Sequence, residues 1–190
     1  MTYEKLDNDE LLRIALEAVN QDRNGEAVSM LKTLLERDPT HVFATYLLAA
    51  EHAQLGLMDR AEEGFRKTVQ MAPDFSIARF QLGQLCLVKG DPVAAKSMLA
   101  PLTNLPEGDA LLGYAKGLIA AADEDAGEAI HQLQAGLVCP QEIPALAMDM
   151  RKVLENLLAL GGAAPLQMPT ASQLPSVAPM YLSSYGKAGN

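Results

Sequence analysis

The stretch GQLCLVKGDPVAAKSML, residues 83–99, contains an alanine that recurs at a fixed interval along the chain. Ala95 has counterparts one and two intervals of 34 residues earlier, and one interval later. The four alanines are Ala27, Ala61, Ala95 and Ala129. The residue four positions after each alanine is bulky and apolar: Leu31, Phe65, Leu99 and Leu133. A constant period of this length predicts a chain of repeated supersecondary units rather than an ordinary globular domain.

Blocks of 34 residues place the repeats at residues 8–41, 42–75, 76–109 and 110–143, with the periodic pattern covering residues 8–141. The eighth position of each block is small: Ala15, Ala49, Gly83 and Gly117. Two antiparallel helices approach closely only where the facing side chains are small. A proline near the end of each block, at 39, 73, 106 and 140, ends the second helix.

This pattern resembles the tetratricopeptide repeat, a 34-residue helical hairpin with small residues at positions 8 and 20. The resemblance is weakest in the fourth block, where Lys116 replaces the usual leucine. It implies an all-α fold, a right-handed solenoid of four helical hairpins.

Two further segments follow the repeats. Residues 143–160, IPALAMDMRKVLENLLAL, have apolar residues at helical spacing and are predicted to form a helix that caps the open end of the solenoid. Residues 161–190 are rich in proline, glycine and serine, and we predict a flexible tail. Its apolar residues are candidates for docking elsewhere: Leu174, Val177, Met180, Tyr181 and Leu182.

Composition restricts the class of protein. A net charge of −9 argues against nucleic-acid binding, which needs a basic surface. Cys86 and Cys139 form no metal or disulfide motif, and this usage suits a reducing compartment. The first ten residues lack the apolar stretch of a signal peptide, and the most apolar run, residues 110–122, is too short to span a bilayer. We therefore expect a cytoplasmic protein without a membrane span.

The sequence shows no recognisable catalytic, cofactor or metal motif. His41, His52 and His131 occupy different repeat positions without metal-ligand neighbours, and Glu128-x-x-His131 lacks the second pair that a di-iron site needs. The acidic run at 123–128, DEDAGE, is better explained as an inter-helix turn and N-cap than as a calcium loop. We expect a protein that is not an enzyme and that binds no cofactor.

The resemblance implies that positions 2, 5, 9 and 12 of each first helix face the concave side of the solenoid, as one stripe along the helix. We call these positions the concave stripe. Its residues are Asp9, Leu12, Leu16, Val19, Phe43, Tyr46, Ala50, Ala53, Ile77, Phe80, Gln84, Leu87, Leu111, Tyr114, Leu118 and Ala121. Asp9 and Gln84 are the polar exceptions. Since other positions pack the helices together, an apolar stripe here predicts a binding surface.

The candidate peptide-binding residues are Leu12, Leu16, Phe43, Tyr46, Ile77, Phe80, Gln84, Leu111, Tyr114 and Leu118. Tetratricopeptide domains that bind a chaperone's C-terminal carboxylate have lysine and asparagine where this chain has Leu12 and Leu16, so that mode is excluded. The alternative interpretation is that superhelical curvature buries part of the stripe between repeats.

Two functional hypotheses remain from the sequence. The first is an adaptor or chaperone that binds an apolar helix or extended segment of a partner protein. Its groove chemistry resembles that of the small tetratricopeptide chaperones of bacterial secretion systems. The second is a scaffold whose groove takes its own tail, LPSVAPMYL at 174–182, in cis as autoinhibition or in trans as a homo-oligomer.

Overall fold

The computed structural model describes residues 6–159, and every regular element in this range is a helix. The helices are α1 (Asn8–Asn20), α2 (Asn24–Arg37), α3 (Val42–Gln54), α4 (Met58–Met71), α5 (Ser76–Val88), α6 (Pro92–Leu99), α7 (Ala110–Ala122), α8 (Ala126–Val138) and α9 (Pro144–Ala159), with a 3₁₀ helix at Ala100–Asn104. The predicted all-α fold is confirmed for this part of the chain. The tail predicted at 161–190 lies outside the described residues.

The turn between the two helices of each pair has the same backbone conformation four times. Asp22, Gly56, Gly90 and Glu124 are 34 residues apart, and all have positive φ, between 55° and 77°. After each of them, a backbone N–H donates back to a carbonyl of the first helix, as from Leu57 N to His52 O at 2.8 Å and from Asp91 N to Cys86 O at 2.9 Å. This left-handed turn suits glycine, whereas the aspartate and the glutamate adopt it at a steric cost.

The described chain divides into two compact units. The first comprises residues 6–73, in which α1 packs on α2, α2 on α3, and α3 on α4. Its core contains the periodic Ala27 and Ala61 with the bulky Leu31 and Phe65, none of them exposed. The small residues let the paired helices approach, and the bulky residues fill the space beside each contact.

The second unit comprises residues 74–159, in which α5 packs on α6 and α7 on α8. A Cβ atom added to Gly83 would lie 2.6 Å from Leu99 Cγ, and one added to Gly117 would lie 2.7 Å from Leu133 Cγ. In this unit the small eighth position of the first helix therefore lies against the bulky residue that follows the periodic alanine in the second helix. In this unit α6 is short, and the chain continues as the 3₁₀ helix. Pro101 ends the α-helix because it has no N–H to donate to a carbonyl of the preceding turn.

The last described helix, α9, packs against α8 through its apolar face. Leu146, Met150, Val153 and Leu157 are buried, while Leu158 is 53% exposed. Among the described residues, no helix combines the length and the apolar character needed to cross a membrane.

Candidate functional site

In the first unit, the concave stripe is mostly closed to solvent. Leu12, Leu16 and Tyr46 are at most 2% exposed, whereas Phe43 is half-buried. The Tyr46 ring is stacked on Phe43 at a centroid distance of 6.1 Å and lies 6.0 Å from the ring of Phe65 on α4. Tyr46 therefore takes part in packing α3 against α4.

In the second unit, the stripe is closed in a similar way. Ile77, Phe80, Gln84, Tyr114 and Leu118 are all at most 3% exposed, and the rings of Phe80 and Tyr114 lie 6.4 Å apart. Leu111, at the start of α7, remains half-buried.

The hydroxyl of Tyr114 is fixed to the segment that joins α8 to α9. It donates to Gln141 Oε1 at 2.6 Å, and Gln141 Nε2 in turn donates to the carbonyls of Gly136 and Cys139 at 2.9 and 2.6 Å. Burial raises the pKa of Tyr114 to about 12, so the phenol stays protonated and remains a donor. Tyr114 thereby connects the stripe to the start of α9.

The exposure expected for the concave stripe is not observed over most of its length. The aromatic side chains at position 5 are long enough to reach a neighbouring helix, where burial of their rings lowers the free energy of the folded unit. Of the ten candidate residues, Phe43 and Leu111 are the partly exposed ones. The binding role of the ten stays a prediction, and it rests most directly on these two. The tail candidates at 174–182 lie outside the described residues.

The helices α7 and α8 cross closely at a point that the sequence did not predict. A Cβ on Gly113 would lie 2.6 Å from the backbone N of Gly136 and 2.9 Å from the carbonyl oxygen of Gln132. A Cβ on Gly136 would lie 2.7 Å from a ring carbon of Tyr114. The two glycines occur together in the fourth repeat alone, so the 34-residue period does not reveal them. The presence of a glycine on each of the two helices of this repeat is the sequence feature that indicates a close crossing.

Two ionisable side chains of α3 are buried in the first unit. Glu51 is 3% exposed and His52 is 8% exposed, and Glu51 Oε2 and His52 Nε2 lack hydrogen-bond partners among the described residues. Burial, and secondarily the charge of Asp22, raise the pKa of Glu51 to about 7. The pKa of His52 is lowered, first by burial and then by the charges of Lys32 and Arg60. The pKa shifts follow from the cost of charging a group away from water.

Glu51 makes the stability of the fold depend on pH. Its folded pKa of about 7 lies above the unfolded value of 4.5, so the folded state binds the proton more tightly. The stability that this preference contributes is complete below pH 4.5 and is lost as the pH rises through 7. We expect Glu51→Gln to match the native chain at pH 4.5 but to exceed its unfolding free energy by about 2 kcal/mol at pH 8, after allowance for solvent screening.

The measurement is thermal unfolding of both chains across pH 4.5–8. Glu17→Gln is the matched control, because Glu17 occupies the same repeat position in α1 but is exposed. Equal pH slopes for the native chain and Glu51→Gln would show that the buried carboxyl is not the titrating group.

The second unit has a cleft of about 310 Å³ between the 3₁₀ helix, α7 and the start of α8. Its lining residues are Thr103, Lys116, Ile119, Ala120, Asp123, Asp125 and Glu128. Asp125 caps α8 by accepting from the backbone N of Glu128 at 3.0 Å, and Asp123 pairs with Lys96. The turn and N-cap predicted for the acidic run are thus present. Within residues 6–159, no group of three or more His, Cys, Asp or Glu side chains is arranged to hold a metal ion.

The first part of the repeat region matches a known protein family. The family model described as the tetratricopeptide repeat matches residues 12–74. Residues 12–74 therefore contain tetratricopeptide repeat sequence. The matched segment covers α2, α3 and α4 with most of α1, which is nearly all of the first unit. It includes the periodic residues Ala27, Leu31, Ala61 and Phe65.

Solved tetratricopeptide structures share the fold along most of the chain. TTC0263 of Thermus thermophilus, titled a thermophilic TPR protein, matches with a TM-score of 0.66 and 20% identity, covering 96% of this chain and 99% of that one. MamA from Desulfovibrio magneticus RS-1 has a TM-score of 0.62 and 19% identity, with 97% and 98% covered. YrrB, titled a TPR protein with an unusual peptide-binding site, has a TM-score of 0.60 and 18% identity, with 97% and 94% covered. The helical repeat fold is thereby confirmed.

A curated relative is the tetratricopeptide repeat and J domain-containing co-chaperone DNJ1 of Fusarium oxysporum f. sp. lycopersici. It is 29% identical over 97 residues, which cover 51% of this chain and 19% of the relative. The chain thus spans about a fifth of the length of that co-chaperone.

Proposed function

We propose that this tetratricopeptide chain is a protein-interaction module, an adaptor or chaperone that binds an apolar helix or extended segment of a partner protein. The observation that carries the proposal is the partial exposure of Phe43 and Leu111, which are the first stripe residues of α3 and α7. The other stripe residues of these two helices are mostly buried apolar side chains. Apolar side chains left partly open beside buried aromatic rings provide anchoring positions for a partner.

The similar proteins favour this class of function. Tetratricopeptide repeats generally act as scaffolds without catalytic activity, the relative DNJ1 is named a co-chaperone, and the neighbour YrrB is titled by its peptide-binding site. The net charge of −9 favours partners whose apolar segment is flanked by basic rather than acidic residues. Because the residues of the concave stripe are mostly apolar, we extend the proposal to apolar segments of proteins that bacterial secretion systems export.

The test selects random nonapeptides, displayed on phage, for binding to the full chain. Enriched peptides are synthesised and titrated calorimetrically against the native chain, Phe43→Ser and Leu111→Ser. We expect apolar peptides, and a loss of affinity of about tenfold in at least one variant, since each removes one partly exposed anchor. Val138→Ser is the control, because Val138 is 88% exposed on α8 and outside the stripe.

Two results would contradict the proposal. One is a selection that enriches no apolar peptide. The other is an affinity that falls as much in Val138→Ser as in the stripe variants, because the peptides would then bind without using the stripe.

A further inference from the structure

The helix α9 has one side that faces away from the rest of its unit. Among the described elements, α8 is the one that packs extensively against α9. On the side of α9 opposite the buried residues lie four exposed ones, Met148, Arg151, Glu155 and Leu158, which we call the outer face of α9. Met148 is 57% and Leu158 is 53% exposed, so two of the six large apolar side chains that are exposed within residues 6–159 lie on this face.

The outer face of α9 has the spacing of a helix-pairing seam. Its four residues follow one another at intervals of three, four and three positions. This alternation is that of the a and d positions of a coiled coil, which form one narrow line along a helix. The line has an apolar residue at each end and two opposite charges, Arg151 and Glu155, between them. Within residues 6–159, neither of these two charged side chains forms an ion pair.

The order of these residues is self-complementary when two copies of α9 pair antiparallel. A two-fold axis at the level of residue 153 places Met148 of each copy beside Leu158 of the other, and Arg151 of each copy beside Glu155 of the other. Such reciprocity is what a two-fold symmetric interface requires. A parallel pairing would instead bring each charge against its own kind. The charge order therefore favours a second copy of this chain in one orientation.

The residues that flank the outer face are compatible with this pairing. Leu154 is half-buried on α9 and lies beside the two-fold axis, where it meets its own counterpart. Lys152 lies on the other flank, and its Nζ is 3.3 Å from Asp149 Oδ1 on the same helix. This ion pair reduces the repulsion between the two copies of Lys152.

We propose that the outer face of α9 is the interface of a homodimer, in which the α9 helices of two copies pack antiparallel. With 16 residues, α9 is about 24 Å long, so the interface is one short helix pair. A helix pair of this length buries less than the roughly 1,200–2,000 Å² of stable complexes, and we expect a Kd in the micromolar range. The interface uses no residue of the concave stripe, so the inference goes beyond the proposed function. A dimer carries two sets of stripes and binds a partner with two apolar segments more tightly.

The first test is sedimentation equilibrium of the full chain from about 1 to 500 µM, a range that includes a micromolar Kd. We expect a monomer–dimer equilibrium that Met148→Glu/Leu158→Glu weakens at least about tenfold, because like charges then replace both apolar end contacts. Val93→Glu/Val138→Glu is the control, because it adds the same charge at side chains that are 74% and 88% exposed outside α9. A native chain that stays monomeric, or a dimer that the α9 variant leaves intact, would overturn the proposal.

The second test exchanges the charges of the outer face. Arg151→Glu and Glu155→Arg each create two like-charge contacts across the two-fold axis, and each should weaken the dimer about fivefold. An equimolar mixture of the two variants restores opposite charges at both contacts and should dimerise like the native chain. Because the mixture contains the same two chains, any effect on helix stability is unchanged. A mixture that dimerises no better than its components would overturn the antiparallel pairing.

Failure of this inference differs from failure of the proposed function. Peptides selected on the native chain should bind Met148→Glu/Leu158→Glu with unchanged affinity per site, because the outer face of α9 is not part of the stripe. Unchanged mass in this variant, with weaker peptide binding, would show that the outer face takes a partner segment rather than a second copy. That result would overturn the homodimer while leaving an interaction module supported.

Discussion

Replacing Gly113 by alanine is expected to destabilise the second unit by about 3 kcal/mol, despite the better helix propensity of alanine. The added methyl group would lie 2.6 to 2.9 Å from three backbone atoms, the N and Cα of Gly136 and the carbonyl oxygen of Gln132. Backbone atoms inside a helix cannot rotate away as a side chain can. The methyl group is therefore accommodated only if α7 and α8 move apart, which removes contacts along the most extensive helix pair of the unit.

The measurement is chemical denaturation of the full chain beside Gly127→Ala. Gly127 is an exposed glycine of α8, and its added Cβ would lie 3.6 Å from the nearest atom, an oxygen of Asp125. This control should be neutral or more stable by up to about 1 kcal/mol, through helix propensity alone. If Gly113→Ala behaved like Gly127→Ala, the helices would not cross as closely as the structure places them.

The packing that repeats along the chain was predictable from the sequence, because each contact occurs at the same position in several repeats. The contact of Gly83 with Leu99 recurs one 34-residue period later as that of Gly117 with Leu133. The crossing of Gly113 with Gly136 could not be predicted in this way, because it is specific to one repeat. The burial of Glu51 could not be predicted from the repeat either. Glu17 occupies the same repeat position in α1 and is exposed, so the position does not determine burial.

The sequence also identified an apolar stripe but not its burial. Periodicity shows that positions 2, 5, 9 and 12 lie on one face of a helix, whereas the distance between neighbouring helices decides whether that face is open. Large rings at position 5 can reach a neighbouring helix, as the ring of Tyr46 reaches Phe65. The candidate residues accordingly separate into buried ones and the partly exposed Phe43 and Leu111.

Phe80→Ala is expected to lower the unfolding free energy by about 3–5 kcal/mol, the usual cost of deleting a buried phenyl group. Phe80 is fully buried, and its ring lies 6.4 Å from that of Tyr114, so the change removes both apolar burial and a ring contact between α5 and α7. A loss of this size lowers the melting temperature of the full chain by roughly 6–20 °C.

The control for Phe80→Ala is Val93→Ala, at a side chain of α6 that is 74% exposed, which should change stability by less than about 0.5 kcal/mol. The comparison separates two roles for a stripe aromatic. A core residue lowers the melting temperature when it is truncated, whereas a surface anchor leaves it unchanged and weakens peptide binding. If Phe80→Ala melted like the native chain and lost the selected peptides, the stripe would be open in solution, and Phe80 would join Phe43 and Leu111 as a binding residue.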